Sequence, residues 1–208
     1  MARGSHVPAA CTAGLLGLAM LFYGSPTGLP VALGDEAYRM VELPVTAVAH
    51  PNPRLEDAVL AWLNRARRDQ YLPPLRADSM IQTVARTYGM EMFAHGYLSH
   101  VSRDGRTLQA RLAAGGLQPS VVGENLAYAG TVRDAERALW QSEAHRNNIL
   151  YPAYRAVGVA VLDGGHEGLI VVQDFSDDSA AQGNLTPAKV RVVTWSVLGA
   201  SVVSLTDR

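Results

Sequence analysis

Two valine-rich apolar runs, at 156–162 and 169–175, are separated by only six residues. The intervening segment, Asp-Gly-Gly-His-Glu-Gly, has the polarity and glycine content of a turn. Short apolar runs bounded by turn residues are typical of strands, and so short a link permits only antiparallel pairing between neighbours. The sequence therefore predicts a β-hairpin here and argues against the strand–helix alternation of a parallel sheet.

Amphipathic helices are predicted on the N-terminal side of this hairpin. Apolar residues recur at helical spacing over 53–69, after an Asn-Pro pair suited to a helix N-terminus. Further helices are expected from about Asp78 to Gly96, over 107–113, and from Thr131 to about Ser142. Residues 97–130 otherwise carry glycine and turn signals. Helices combined with few strands predict the α+β class.

Composition limits the classes of function. The 208 residues carry 18 Lys+Arg and 19 Asp+Glu, so the formal net charge is −1. A nucleic-acid binder needs a basic excess to neutralise phosphates, so no nucleic acid is expected as a partner. The single cysteine, Cys11, excludes an intrachain disulfide and a cysteine-based metal cluster. Glycine-rich phosphate loops and the HExxH and GxSxG motifs are absent from the sequence, and no organic cofactor is expected.

The N-terminal segment has the pattern of an export signal. No charged residue occurs from Val7 to Gly34, only Arg3 precedes this stretch, and its apolar core lies at 15–23. Residues 1–34 are therefore predicted to be a signal peptide, with an uncleaved membrane anchor as the alternative. In either case the protein is expected outside the cytoplasm: extracellular, periplasmic or at the cell surface. Membrane contact is expected only through residues 1–34, if they are retained.

The rest of the chain divides into a lead-in at 35–51, a domain at 52–176 and a C-terminal tail at 177–208. The tail contains an uncharged run between Arg191 and Asp207. This run is too short to span a bilayer, and its Val, Thr and Ser content favours an added strand or hairpin.

Four ionisable residues lie in settings that could support chemistry. His100 follows the second predicted helix, and Glu124 interrupts an apolar run. Glu143 and His145 lie near the end of the helix that starts at Thr131. Each has an ordinary interpretation as a solvated or locally hydrogen-bonded side chain, and spacing alone does not bring them together.

The motifs around these residues, taken in order, resemble the CAP superfamily of cysteine-rich secretory proteins, venom antigens and plant pathogenesis-related proteins. The closest resemblance is to its short bacterial, SCP-like extracellular members, and it spans about 52–176. The segments that carry it are LNRAR (63–67), LPPL (72–75), YLSH (97–100), GENLA (123–127), WQSEAHRNNIL (140–150), VGV (157–159) and VQDF (172–175). The GENLA and WQSEAHRNNIL elements are fairly specific together.

This resemblance implies a three-layer α-β-α sandwich with a central antiparallel sheet, and a cleft lined by two histidines and two acids. His100 and His145 match the family histidines, and Glu124 matches the acid of the GEN element. Glu143 stands where larger members carry their second acid, although almost no loop separates it from His145.

A cleft of this composition favours zinc, because imidazole suits zinc or copper better than magnesium or calcium. We therefore expect a metal site at His100 and His145, with Glu124 as a third candidate ligand. The leading hypothesis is a secreted or surface-attached binding module for an unidentified extracellular ligand, which would be a peptide, a lipid or a cell-wall component. No Ser, Thr or Cys nucleophile belongs to the group, which favours binding over catalysis.

Two other functions stay open at this point. One is a metal-dependent hydrolase acting on peptide or cell-wall material through His100, His145 and Glu124. The other is a lipid-binding or envelope-binding protein in which the cleft residues only brace the fold.

Overall fold

Helices and strands alternate irregularly along the chain. The computed structural model describes residues 31–32, 40–46, 48–177, 191–196 and 199–204, with side chains described within 40–46 and 48–177. The helices are α1 (Pro53–Arg68), α2 (Ser79–Ala94), α3 (Leu108–Ala114), α4 (Val132–Gln141) and α5 (Glu143–Ile149). The strands are β1 (Val31–Ala32), β2 (Val41–Glu42), β3 (His50–Pro51), β4 (Arg76–Ala77), β5 (Tyr97–Leu98), β6 (Val121–Ala129), β7 (Ala156–Asp163), β8 (Leu169–Ser176), β9 (Arg191–Ser196) and β10 (Gly199–Ser204).

One mixed, mainly antiparallel sheet forms the centre of the molecule. Within the described residues its order is β10-β9-β6-β8-β7-β3, with β1 added on β6 and β4 on β7. The predicted hairpin is confirmed as β7 and β8, which pair along their full length. On its other side β8 pairs antiparallel with β6, and this register places Glu124 directly opposite Asp174.

Helices cover both faces of this sheet, so the chain is a three-layer α-β-α sandwich of the α+β class. Side-chain alternation along the strands divides the core between the faces. On β7, for example, Val157, Val159 and Val161 lie in the cluster formed with α1, α4 and α5. Ala160 and Leu162 lie in the cluster formed with α2.

Local chemistry explains where the long helices begin. The Asn52 side chain accepts a hydrogen bond from the Leu55 amide at the start of α1, and Pro53 occupies the first helical position. The Asp78 carboxylate accepts from the Met80 and Ile81 amides at the start of α2. Both predicted starts are confirmed, and the ends agree to within one or two residues.

Two elements differ from the sequence predictions. The region 97–130, interpreted as turn-rich, contains β6, a nine-residue strand next to β8. The helix from Thr131 ends at Gln141, and a separate short helix, α5, begins at Glu143. Glu143 and His145 therefore belong to a new helix and not to the end of the preceding one.

The ends of the chain are described only in part. The predicted export segment at 1–34 lies outside the described residues except for β1, the backbone of Val31–Ala32. In the tail, β9 and β10 pair antiparallel, and β9 joins the first two residues of β6 in parallel. Over the described part of the chain, the helices are too short or too polar to cross a membrane.

Candidate functional site

The β6 strand places Glu124 on the sheet face that α2 and α3 cover. His100, which follows β5, contacts Glu124: its Nδ1 lies 2.8 Å from Glu124 Oε1. Burial opposes ionisation of Glu124, yet the Arg111 guanidinium and the His100 contact hold the pKa of this carboxyl below its ordinary value. An ionised carboxylate only accepts hydrogen bonds, so His100 Nδ1 carries the proton. The Nε2 nitrogen of a neutral His100 then keeps its lone pair.

Arg111 on α3 is the second partner of Glu124, and it was absent from the sequence predictions. Its Nη2 donates to Glu124 Oε2, while its Nη1 donates to the backbone oxygens of His100 and Arg106, both at 3.1 Å. The guanidinium carbon lies 3.5 Å from the centroid of the Tyr88 ring. Only 5% of Arg111 is exposed. The signal for it was available: Arg111 falls on the same helical face as Leu108 and Leu112, where a buried cation needs an anionic partner.

Asp174 on β8 is a second buried carboxyl that the predictions did not single out. It is 0% exposed and lies opposite Glu124 in the sheet. Its oxygens make no hydrogen bond of standard geometry in the described structure, although the Glu124 carboxylate is near enough to accept a proton held on Asp174. Burial first, and then the charge of Glu124, raise the pKa of Asp174 well above its ordinary value. The Arg111 guanidinium therefore pairs with an ionised Glu124, and Asp174 is the neutral member of the two neighbouring carboxyls.

We expect Asp174→Asn to fold with a free energy of unfolding at pH 7 above that of the wild type, because the variant takes up no proton on folding. The folded state keeps a proton on Asp174 that the unfolded chain releases near its ordinary pKa. Wild-type stability from this group therefore rises as pH falls from 7 toward about 4, and the asparagine variant loses that slope. Urea unfolding at several pH values measures both effects.

The same substitution at exposed Asp57 is the control for this experiment. An Asp174→Asn variant that is destabilised at pH 7 by more than about 2 kcal/mol would show that the ionised carboxylate is needed, contrary to this assignment.

His145 belongs to α5, which packs on the sheet face opposite to α2 and α3. It is 3% exposed, its Nδ1 lies 2.7 Å from Ser142 Oγ, and its Nε2 is buried without a hydrogen-bond partner in the described structure. Burial, and then the charge of nearby His100, lower the pKa of His145 to about 3. The imidazole is thus neutral at physiological pH, and it lies close enough to His100 for the two rings to interact electrostatically.

A chain of buried amides fixes α5 against β6. Asn125 Nδ2 donates to the His145 backbone oxygen at 3.2 Å, and Asn148 Nδ2 donates to Asn125 Oδ1 at 3.0 Å. Tyr154 completes the chain by donating to Asn148 Oδ1 at 2.7 Å. Gly123 is required beside it, because an added Cβ would lie 2.0 Å from the Tyr154 oxygen. These residues position His145 without belonging to the site themselves.

The structure brings His100 into contact with Glu124, and His145 lies within electrostatic range of His100. We name these three residues the histidine site. Glu143 is not part of this group. It is the exposed first residue of α5, and within the described residues no hydrogen bond or ion pair joins it to the histidine site.

The donor chemistry of the histidine site fits a metal held by imidazole. His145 Nε2 is an orphaned buried nitrogen, and the His100–Glu124 contact leaves His100 Nε2 available. Glu124 has both oxygens engaged, by His100 and by Arg111. The described residues contain no group of three or more His, Cys, Asp or Glu arranged to hold a metal ion, so a metal here would rest on the two imidazoles.

Comparison with known proteins relates this chain to a family. The model of the cysteine-rich secretory protein family, CAP, matches residues 60–175. The uncharacterized protein YkwD of Bacillus subtilis is 30% identical over 111 residues, which cover 53% of this chain and 43% of that protein. The chain spans less than half the length of its Bacillus subtilis relatives.

Solved structures agree with this match. An extracellular protein containing a SCP domain from Bacillus anthracis is 28% identical, with a TM-score of 0.56 over 61% of this chain and 41% of that one. An outer surface protein from Borrelia burgdorferi has a TM-score of 0.60 over 64% of this chain and 98% of that one. Its identity is 17%, so it supports the fold alone.

Proposed function

The chain belongs to the CAP family of cysteine-rich secretory proteins, and from this premise we propose that it is an extracellular or surface-attached binding module whose histidine site holds zinc. The observation that carries the proposal is the buried, unpartnered Nε2 of His145, within electrostatic range of a second imidazole whose Nδ1 is already engaged. A buried nitrogen without a partner costs free energy, and coordination to a metal removes that cost.

The residues of the site have distinct roles in this proposal. His100 and His145 hold the ion, each as a neutral imidazole. Glu124 keeps the proton on His100 Nδ1 and thereby orients the ring, as carboxylates next to metal-binding histidines do. Zinc held by two protein ligands would supply open coordination positions to a ligand. That ligand is an unidentified extracellular molecule: a peptide, a lipid or a cell-wall component.

Two observations support the location. The sequence carries a predicted export segment at 1–34, and the Bacillus anthracis relative is an extracellular protein. Both favour a working place outside the cytoplasm.

The hydrolase alternative is less well supported. It requires Glu124 to act as a general base, and both of its oxygens are bound by Arg111 and His100. Turnover of peptide or cell-wall substrates that disappears in Glu124→Gln would reverse this preference.

We expect chelator-treated protein to bind about one zinc ion per chain in a calorimetric titration. The double variant His100→Ala, His145→Ala should bind zinc roughly 100-fold or more weakly, because both imidazole ligands are lost. The matched control is the double variant His95→Ala, His166→Ala, which removes two exposed histidines outside the site. Undiminished binding by the first double variant, or none by the wild type, would contradict the proposal and favour a cleft with a purely structural role.

A further inference from the structure

Arg111 contacts both the backbone of His100 and the carboxylate that orients the His100 ring. One nitrogen, Nη1, donates to the backbone oxygen of His100, and the other, Nη2, donates to the Glu124 carboxylate that orients the His100 ring. The same Nη1 also reaches the Arg106 oxygen, at 3.1 Å, so the guanidinium closes the loop that runs from His100 to α3. The backbone and the side chain of His100 are therefore tied to a single rigid group.

The guanidinium is itself held in place. It lies over the Tyr88 ring, and the Tyr88 hydroxyl donates to the Ser99 oxygen, one residue before His100. Arg111 and Glu124 are each only 4% exposed at their side chains, so water does not compete effectively for these contacts. A planar fork with several donors suits this geometry, whereas a lysine ammonium could not reach the separated acceptors together.

We propose that Arg111 is a positioning residue for His100: it clamps the backbone oxygen of His100 and the Glu124 carboxylate so that Nδ1 stays protonated and Nε2 stays open toward the site. This inference rests on the proposed function for the use of the open nitrogen. Without Arg111, Glu124 loses its second partner and can turn away from Nδ1. His100 then populates both neutral tautomers, and one of these presents a proton where a metal would bind.

The test measures the tautomer of His100 and the affinity for zinc separately. Nitrogen-15 NMR of histidine-labelled, zinc-free protein at about pH 8 shows which ring nitrogen carries the proton. His100→Ala assigns the signal. We expect the wild type to carry it on Nδ1 and Arg111→Met to show both tautomers. In calorimetry, Arg111→Met should bind zinc 10- to 100-fold more weakly, and Arg111→Lys should be intermediate.

The matched control is Arg106→Met, which removes a nearby exposed arginine that pairs with Asp104, and it should leave both measurements unchanged. A wild-type proton on Nε2 would overturn the proposal. So would a folded Arg111→Met variant with an unchanged tautomer and a zinc affinity within about threefold of the wild type.

If Arg111→Met does not fold, the tautomer ratio of His100 is measured in Arg111→Lys instead. A ratio that differs from the wild type supports the positioning role of Arg111, and an unchanged ratio overturns it. If the wild type binds no zinc, the proposed function fails. The tautomer measurement on zinc-free protein still decides the role of Arg111 in that case.

Discussion

Replacing Arg67 by methionine should lower the free energy of unfolding by about 3–4 kcal/mol. Arg67 is completely buried near the end of α1 and donates to four backbone oxygens: Pro73 at 2.9 Å, Ile149 at 2.8 Å, Tyr151 at 3.0 Å and Tyr154 at 3.3 Å. Methionine fills a similar volume but leaves these oxygens without their donor. The saved cost of burying a charge offsets only part of that loss.

Urea unfolding of Arg67→Met beside Arg68→Met measures this effect. Arg68 is the next residue on α1 and is exposed, so its replacement should change stability by less than about 0.5 kcal/mol. Equal stability of the two variants would show that the acceptor oxygens find other partners. Arg67 also links α1 to the end of α5 through the Ile149 oxygen. Because α5 carries His145, this contact helps to hold that part of the histidine site in place.

The parts of the fold that were predictable from the sequence are those with local signals. Capping by Asn52 and Asp78 and apolar periodicity located α1 and α2, and the valine runs located the β7–β8 hairpin. The sandwich architecture followed from the resemblance to the CAP superfamily and not from periodicity.

The missed elements lack such local signals. Strand β6 contains Gly123, Glu124 and Asn125, which are poor strand formers in isolation. Tertiary contacts make them strand residues: Glu124 pairs with Arg111, and Asn125 bonds to α5 and to Gln173 across the sheet. Helix α5 has only seven residues, too few for a periodicity to be recognised.

The site shows the same division. Spacing did not bring His100, Glu124 and His145 together, because their proximity depends on how β6 passes between the loop after β5 and helix α5. Arg111 and Asp174 were missed because a buried charge is meaningful only beside its partner, and partners distant in sequence are found only in the fold. Arg111 and Asp174 nonetheless each interrupt an apolar pattern. An acid and a base that both do so can be considered as candidate partners of each other.

Acid should destabilise the zinc-free protein through His145, by about 2–3 kcal/mol between pH 6.5 and pH 4.5. In the unfolded chain this imidazole takes up a proton near pH 6.5, its ordinary pKa, whereas in the fold burial and His100 lower the pKa to about 3. Between these two values the unfolded state binds more protons. The fold therefore loses stability as pH falls through 6.5, and the loss stops below about pH 3.

His145→Gln removes this titration and keeps a neutral polar side chain next to Ser142. Because Asp174 has the opposite slope, the comparison is best made in an Asp174→Asn background, with and without the His145 change, by urea unfolding in the presence of a chelator. We expect the difference between the two stabilities to change by about 2–3 kcal/mol from pH 6.5 to 4.5, with the protein that keeps His145 losing more stability. The same replacement at exposed His166 is the control. Parallel curves for the His145 pair would mean that this imidazole accepts a proton as readily in the fold as in the unfolded chain. The buried, neutral imidazole that the zinc proposal requires would then be absent.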